Sequence, residues 1–192
     1  MSTKVTTTEF RVAFPAVFRP KHNDLSNKDE YSVVALFPKG TDLSALKAAA
    51  QEAAKKKWPK DMPKNLKSPF RDQADRAKVD EQTGKETLPQ GYEAGAIYLN
   101  LKSAQRPGVV DQKMNEIIDE SDFYGGCWAR ASINAYAYDQ KGNRGVAFGL
   151  NNLQKLKDDD AFGNRSKPQD DFAAVETSSE DGEQGSASDL FG

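Results

Sequence analysis

The residues from Cys127 to Tyr138 divide by parity into two sets of different chemistry. One set is Cys127, Ala129, Ala131, Ile133, Ala135 and Ala137, which is small and apolar. The other is Trp128, Arg130, Ser132, Asn134, Tyr136 and Tyr138, which mixes aromatic rings with a cation and amides. A period of two is that of a β-strand, so each set occupies one face. A shorter run repeats the division: Ile97, Leu99 and Leu101 alternate with Tyr98, Asn100 and Lys102. The chemistry such a polar face offers is non-covalent. Nucleobases stack on Tyr and Trp for roughly 1–3 kcal/mol each, and Lys or Arg holds phosphates. Every base has a π-face, so such a platform reads no sequence. Arg106, followed by Pro107-Gly108, extends the cationic set just past the second run.

Covalent chemistry finds little to work with. His22 is the single histidine and lies in a polar stretch, which leaves no His-based acid–base pair or metal cluster. Cys127, the single cysteine, falls on the apolar face as a packing residue; one cysteine excludes an internal disulfide and a Cys-based zinc site. Asp72, Asp75, Asp80 and Glu81 are hard-cation ligands by type, but no strand pattern fixes them. No Gly-rich phosphate loop is present. The expectation is a protein that is not an enzyme and carries no metal and no cofactor.

Charge is unevenly distributed. Residues 168–192 hold seven acids and no Lys or Arg, leaving 22 acids against 27 bases in residues 1–167, a net of +5. Lys55, Lys56, Lys57, Lys60, Lys64, Lys67, Arg71, Arg76 and Lys78 crowd one stretch of that basic body. The tail closes on Ser188-Asp189-Leu190-Phe191-Gly192. A disordered anionic tail competes with DNA for a basic groove, and Asp189, Leu190 and Phe191 form an apolar-tipped hook for a protein partner. No run approaches the roughly 20 apolar residues of a membrane span. Met1-Ser2-Thr3-Lys4 leads into polar residues without an apolar core, so the expected setting is cytoplasmic, with no leader and no membrane partner.

The elements that must position these residues are mostly strands. Thr6–Phe18 alternates around Phe10, Val12, Phe14, Ala16 and Phe18, with Pro15 marking an edge or bulge. Tyr31–Phe37 follows as its hairpin partner. Thr41 is the expected N-cap of a helix running to Lys57, before Pro59. From Pro59 to Gln90 no period holds, and a long, mobile loop is expected. Ala96–Lys102, Cys127–Tyr138 and Gly145–Leu150 are the third, fourth and fifth strands. Residues 151–157 either finish the last strand or begin a short helix. The expected fold is mainly β: an OB-fold-like five-stranded Greek-key barrel with one helix and long loops. The expected division is a DNA-binding domain over 1–160 and a disordered acidic tail over 161–192.

The runs Phe123-Tyr124-Gly125-Gly126-Cys127-Trp128-Ala129-Arg130, Asn134-Ala135-Tyr136-Ala137-Tyr138, Asn143-Arg144-Gly145-Val146 and Gly149-Leu150-Asn151-Asn152-Leu153-Gln154 resemble a tailed-phage single-stranded-DNA-binding protein family. The likeness extends to Tyr31–Pro38 and to Gly91–Lys102. It implies an OB-fold protein that coats and protects single strands in phage replication or recombination and recruits other proteins of those processes. Bacterial single-stranded-DNA-binding proteins are similar in having an acidic tail with an apolar tip. Their tails end on Phe after Ile-Pro, whereas this chain ends Leu190-Phe191-Gly192 without proline. The expected partners are single-stranded DNA, replication or recombination proteins, and a second copy of the chain. The competing expectation is a structural or adaptor protein of a phage that uses the aromatic face against another protein, because such interfaces also favour Tyr, Trp and Arg.

Overall fold

The computed structural model describes residues 3–163 and 172–174. Its strands are β1 (Lys4–Thr6), β2 (Phe10–Asn23), β3 (Lys28–Leu36), β4 (Arg71–Asp72), β5 (Lys78–Val79), β6 (Glu86–Thr87), β7 (Ile97–Ser103), β8 (Gly108–Val110), β9 (Trp128–Gln140) and β10 (Asn143–Lys157), with one helix, α1 (Ser44–Lys57), between β3 and β4. Five of the strands close a ring. β2 pairs with β3, β3 with β7, β7 with β10, β10 with β9, and β9 with β2 again. All of these pairings are antiparallel except β7–β10, which is parallel. This is the Greek-key barrel expected from the sequence. β1 adds to β9, β8 to β10 and β4 to β7, while β5 and β6 form a separate small hairpin.

The ring is filled by inward side chains from every member. Phe10, Val12, Val33, Ala35, Leu99, Leu101, Ile133, Phe148, Leu150 and Leu153 are all buried. β9 supplies Ala129, Ala131 and Ala135 to the same core, so small residues stand where a narrow barrel has least room. α1 turns Leu46, Ala49, Ala50 and Ala53 into this core and packs against β9, β10 and β1. Its last turn carries Lys55, Lys56 and Lys57, which face the negative end of the helix dipole.

Several boundaries differ from the sequence expectation. Thr41 does not cap the helix: its hydroxyl donates to the Pro38 carbonyl at 2.6 Å. The Asp42 carboxylate instead accepts the Ser44 N–H at 2.9 Å. Of the two readings of residues 151–157 the strand is the one found: β10 runs from Asn143 to Lys157, with a register shift between Leu150 and Asn152. The extra residue inverts parity, which is why the pattern seemed to end at Leu150. The stretch 59–90, expected to be one long mobile loop, is pinned at its centre. The buried Gln73 side chain donates to the Phe37 and Ile97 carbonyls at 3.1 and 3.0 Å and accepts the Glu93 N–H at 2.7 Å. Asp72 binds the Ala74 and Gly95 N–H groups, which holds its carboxyl below the usual carboxylate range. No helix among the described residues is long and apolar enough to cross a membrane.

Candidate nucleic-acid interface

Register places part of the predicted set on one continuous outer face. Asn134 on β9 lies opposite Gly149 on β10, Gly149 beside Lys102 on β7, and Lys102 opposite Ser32 on β3. The next row runs from Tyr136 through Ala147 on β10 to Asn100 and Val34. Tyr136 is 48% exposed. Its ring lies against Gly149, where a Cβ would meet ring carbons at 3.8 Å. Tyr138 lies over Gly145, where a Cβ would stand 2.6 Å from the tyrosine oxygen and 2.8 Å from the Lys67 carbonyl. Two glycines on β10 thus make a floor on which the β9 rings lie, a cross-strand arrangement that also covers bare backbone. Burial, then the charges of Glu30 and Tyr138, push the Tyr136 hydroxyl above its ordinary value.

The cationic part of this face is moderated by an acid. Lys102 Nζ is 3.3 Å from Glu30 Oε2, and Asn23 Nδ2 donates to the same oxygen at 2.7 Å. The Asn23 bond, with the Lys102 charge, holds Glu30 below the usual carboxylate range. Lys21, Asn23, Glu30, Ser32 and Lys102 together line a groove along the β2–β3 hairpin. Asn134 Nδ2 approaches Asn151 Oδ1 at 3.4 Å.

Other predicted residues stand apart. Trp128 begins β9, eight residues from Tyr136, roughly 26 Å along the strand. It is half-buried beneath a strap formed by residues 158–163. The indole N–H donates to Asp159 Oδ2 at 2.8 Å, and Lys157 Nζ sits 4.8 Å from the ring centroid. Arg130 shares that end, with Nε donating to Gln154 Oε1 at 2.7 Å. Arg106 lies past β7 with its guanidinium 5.7 Å from the Phe18 ring. Tyr98 is only 3% exposed. It packs with Ala13, Val34, Leu36 and Tyr92 in a small cluster on the outside of the sheet. The expectation of an exposed ring there fails because the 73–96 segment covers it. The tail residues Asp189, Leu190 and Phe191 lie outside the described residues.

Three features had no clear sequence signal. Arg76 reaches over Tyr98, 5.1 Å from its centroid, and bonds to Tyr98 Oη and Asn100 Oδ1 at 3.2 and 3.3 Å. It forms no ion pair among the described residues, so a cation missing from the predicted set stands on this face. The strap is the second. Phe162 N donates to the Gly125 carbonyl at 2.8 Å, its ring receives the Arg11 guanidinium at 4.6 Å, and Gly163 N donates to Gln90 Oε1 at 2.8 Å. Attachment therefore continues past residue 160. Phe14, 60% exposed on a bulge of β2, is the third. No group of three or more His, Cys, Asp or Glu among the described residues could hold a metal.

Strand order, parallel closure and a ringed outer face define an OB-type barrel. The chain belongs to the family described as Enterobacter phage Enc34, ssDNA-binding protein, whose model matches residues 3–183. Protein p50 of Acyrthosiphon pisum secondary endosymbiont phage 1 is 29% identical over 162 residues, covering 83% of this chain and 86% of that protein. Two solved structures are similar in fold. The single-stranded DNA-binding protein from bacteriophage Enc34 in complex with ssDNA aligns with a TM-score of 0.66 at 20% identity, over 84% of this chain and 90% of that one. A further structure of the single-stranded DNA-binding protein from bacteriophage Enc34 aligns with a TM-score of 0.61 at 21% identity, over 88% of this chain and 89% of that one.

Proposed function

We propose that this protein binds single-stranded DNA without sequence preference and coats it during phage replication or recombination. The observation that carries the reading is the continuous face of Tyr136, Tyr138, Asn134, Asn100 and Lys102 across β9, β10 and β7, in a chain of this family. Tyr136 and Tyr138 stack bases. Lys102 and Arg76 hold the phosphates from the floor of the face, Asn100 and Asn134 hydrogen-bond the strand, and Arg106 and Arg130 serve it at the two ends. Trp128 joins when the strap over it lifts; Tyr98 supports the face from beneath. The action is binding alone, without catalysis or cofactor, in the host cytoplasm.

The acidic residues after Lys167 compete with DNA for the basic body, and Asp189-Leu190-Phe191 recruits replication or recombination proteins. Support for this is the charge division between residues 1–167 and 168–192. The test is fluorescence anisotropy of a labelled mixed-sequence oligonucleotide at several salt concentrations, with the full chain beside a version ending at Lys167. Saturable binding that weakens with salt and tightens without the tail is expected. No binding by either chain at low salt overturns the proposal and leaves the aromatic face to a protein partner.

A further inference from the structure

β2 breaks its pairing with β3 between Ala13 and Ala16, and the residue at the break is an aromatic held at an unfavourable backbone angle. Phe14 has φ +45°, a region that costs a bulky L-residue about 1–2 kcal/mol, and it still presents 60% of its surface to solvent. Neither packing nor backbone preference accounts for a phenylalanine there. Beside it Phe14, Pro15, Pro89, Tyr92 and Phe162 line a cavity of about 410 Å³. The pocket is joined to the face described above by a chain of ring contacts. Phe14 and Tyr92 have centroids 6.5 Å apart, Tyr92 and Tyr98 6.4 Å, and Arg76 covers Tyr98 and bonds to Asn100. Tyr92 is nine-tenths buried, and its hydroxyl has no hydrogen-bond partner among the described residues.

Val34 and Ala13 are buried in the Tyr98 cluster, so a strand that joins the two aromatic ends would pass over that cluster and over Arg76, following the rows of the sheet beneath. Tyr136, Ala147, Asn100, Val34 and Ala13 succeed one another on five adjacent strands, with Phe14 next to Ala13. Four inter-strand spacings amount to roughly 19 Å measured around the barrel wall, a path of several nucleotides, which is the scale one OB barrel accommodates. Arg76, whose charge no described carboxylate neutralises, lies between the two aromatic ends, where the backbone of the intervening nucleotides would pass. We infer that the Phe14 pocket is a second base-stacking subsite: it takes a nucleobase of the same single strand that stacks on Tyr136, several nucleotides along, with Arg76 holding a phosphate in between. This rests on the single-strand reading and adds to it a direction around the barrel and a second anchor.

The test is titration of an oligothymidylate of about 12 nucleotides with the wild-type chain, Phe14→Gly, Phe14→Tyr and Tyr136→Ala. Glycine accepts the backbone angle, so Phe14→Gly keeps or raises the melting temperature while affinity falls roughly tenfold; Phe14→Tyr retains affinity. An iodouracil-substituted oligonucleotide crosslinks to Phe14 or Tyr92 in the wild-type chain. Affinity of Phe14→Gly within twofold of wild type, beside a weakened Tyr136→Ala and no such crosslink, overturns the subsite and leaves single-strand binding standing. A wild-type chain that does not bind the oligonucleotide overturns both.

Discussion

Tyr136 shows nearly half its surface to solvent and lies on a glycine rather than in a core. Its removal therefore separates binding from folding. Tyr136→Ala is expected to weaken single-strand affinity roughly tenfold and to cost about 1 kcal/mol or less of stability; anisotropy and thermal melting, run on the same preparation, check both. Tyr124 is the opposite kind of residue. Its hydroxyl donates to Asp158 Oδ1 at 2.8 Å and to the Asp159 carbonyl at 3.0 Å. Burial, then the Asp158 bond, pushes it up to about 12 from its ordinary 10. A hydroxyl that keeps its proton longer when folded stabilises the fold fully below pH 10 and loses that contribution as pH rises toward 12. The melting temperature of the wild-type chain should fall over that interval more steeply than that of Tyr124→Phe. Tyr92 and Tyr136 are shifted in the same direction, so the variant's slope shrinks without vanishing.

Among the elements, the strap is the one most exposed to a single substitution. Gly126 sits at φ +116° against the backbone of Asp160 and Ala161, and a Cβ there would collide with the Asp160 carbonyl. Gly126→Ala should lift residues 158–163 from β9 and free the Trp128 indole from Asp159. In a Trp58→Phe background, Trp128 emission should move to the red and become more accessible to iodide; an unchanged spectrum would place the strap's hold elsewhere. The strap also marks the limit of what the sequence made legible. β9 was readable because one strand, buried on one side, alternates without interruption through Ala137. β10 was half-readable, since the shift after Leu150 reverses which parity faces inward. Residues 158–163 and the 59–96 segment showed no period, because side chains hold them one at a time. Gln73 reaches Phe37, 36 residues away, and Trp128 reaches Asp159, 31 residues away; contacts of that span leave no mark on local pattern. The same limit explains Tyr98. Parity correctly placed it on the outer side, but a pinned loop covers it. Arg76, inside that loop, was visible only as one of many basic residues.

For the molecule as a whole, the charge division predicts how binding responds to salt. Each phosphate neutralised on a single strand contributes about −0.7 to the slope of log affinity against log salt. Arg76→Ala and Lys102→Ala should each flatten that slope by about that amount. Lys102 should show the smaller loss of affinity, because Glu30 already occupies it at 3.3 Å. Tyr136→Ala should leave the slope unchanged and lower affinity equally at every salt concentration, which separates stacking from ion release in one series of titrations.

The closed ring also governs how the chain can be made. Among the described residues β10 is the last strand, and it alone joins β9 to β7. Until Asn143–Lys157 has been synthesised, the earlier strands form an open sheet with β7 and β9 as unsatisfied edges, the kind of surface that pairs with other chains. The parallel β7–β10 pairing links Leu101 with Phe148, a long separation in sequence that slows barrel formation relative to a helix such as α1. A nascent or truncated chain ending before Asn143 should therefore aggregate with α1 formed and the barrel open, so that the strand which completes the outer face is also the one that removes the open sheet edges.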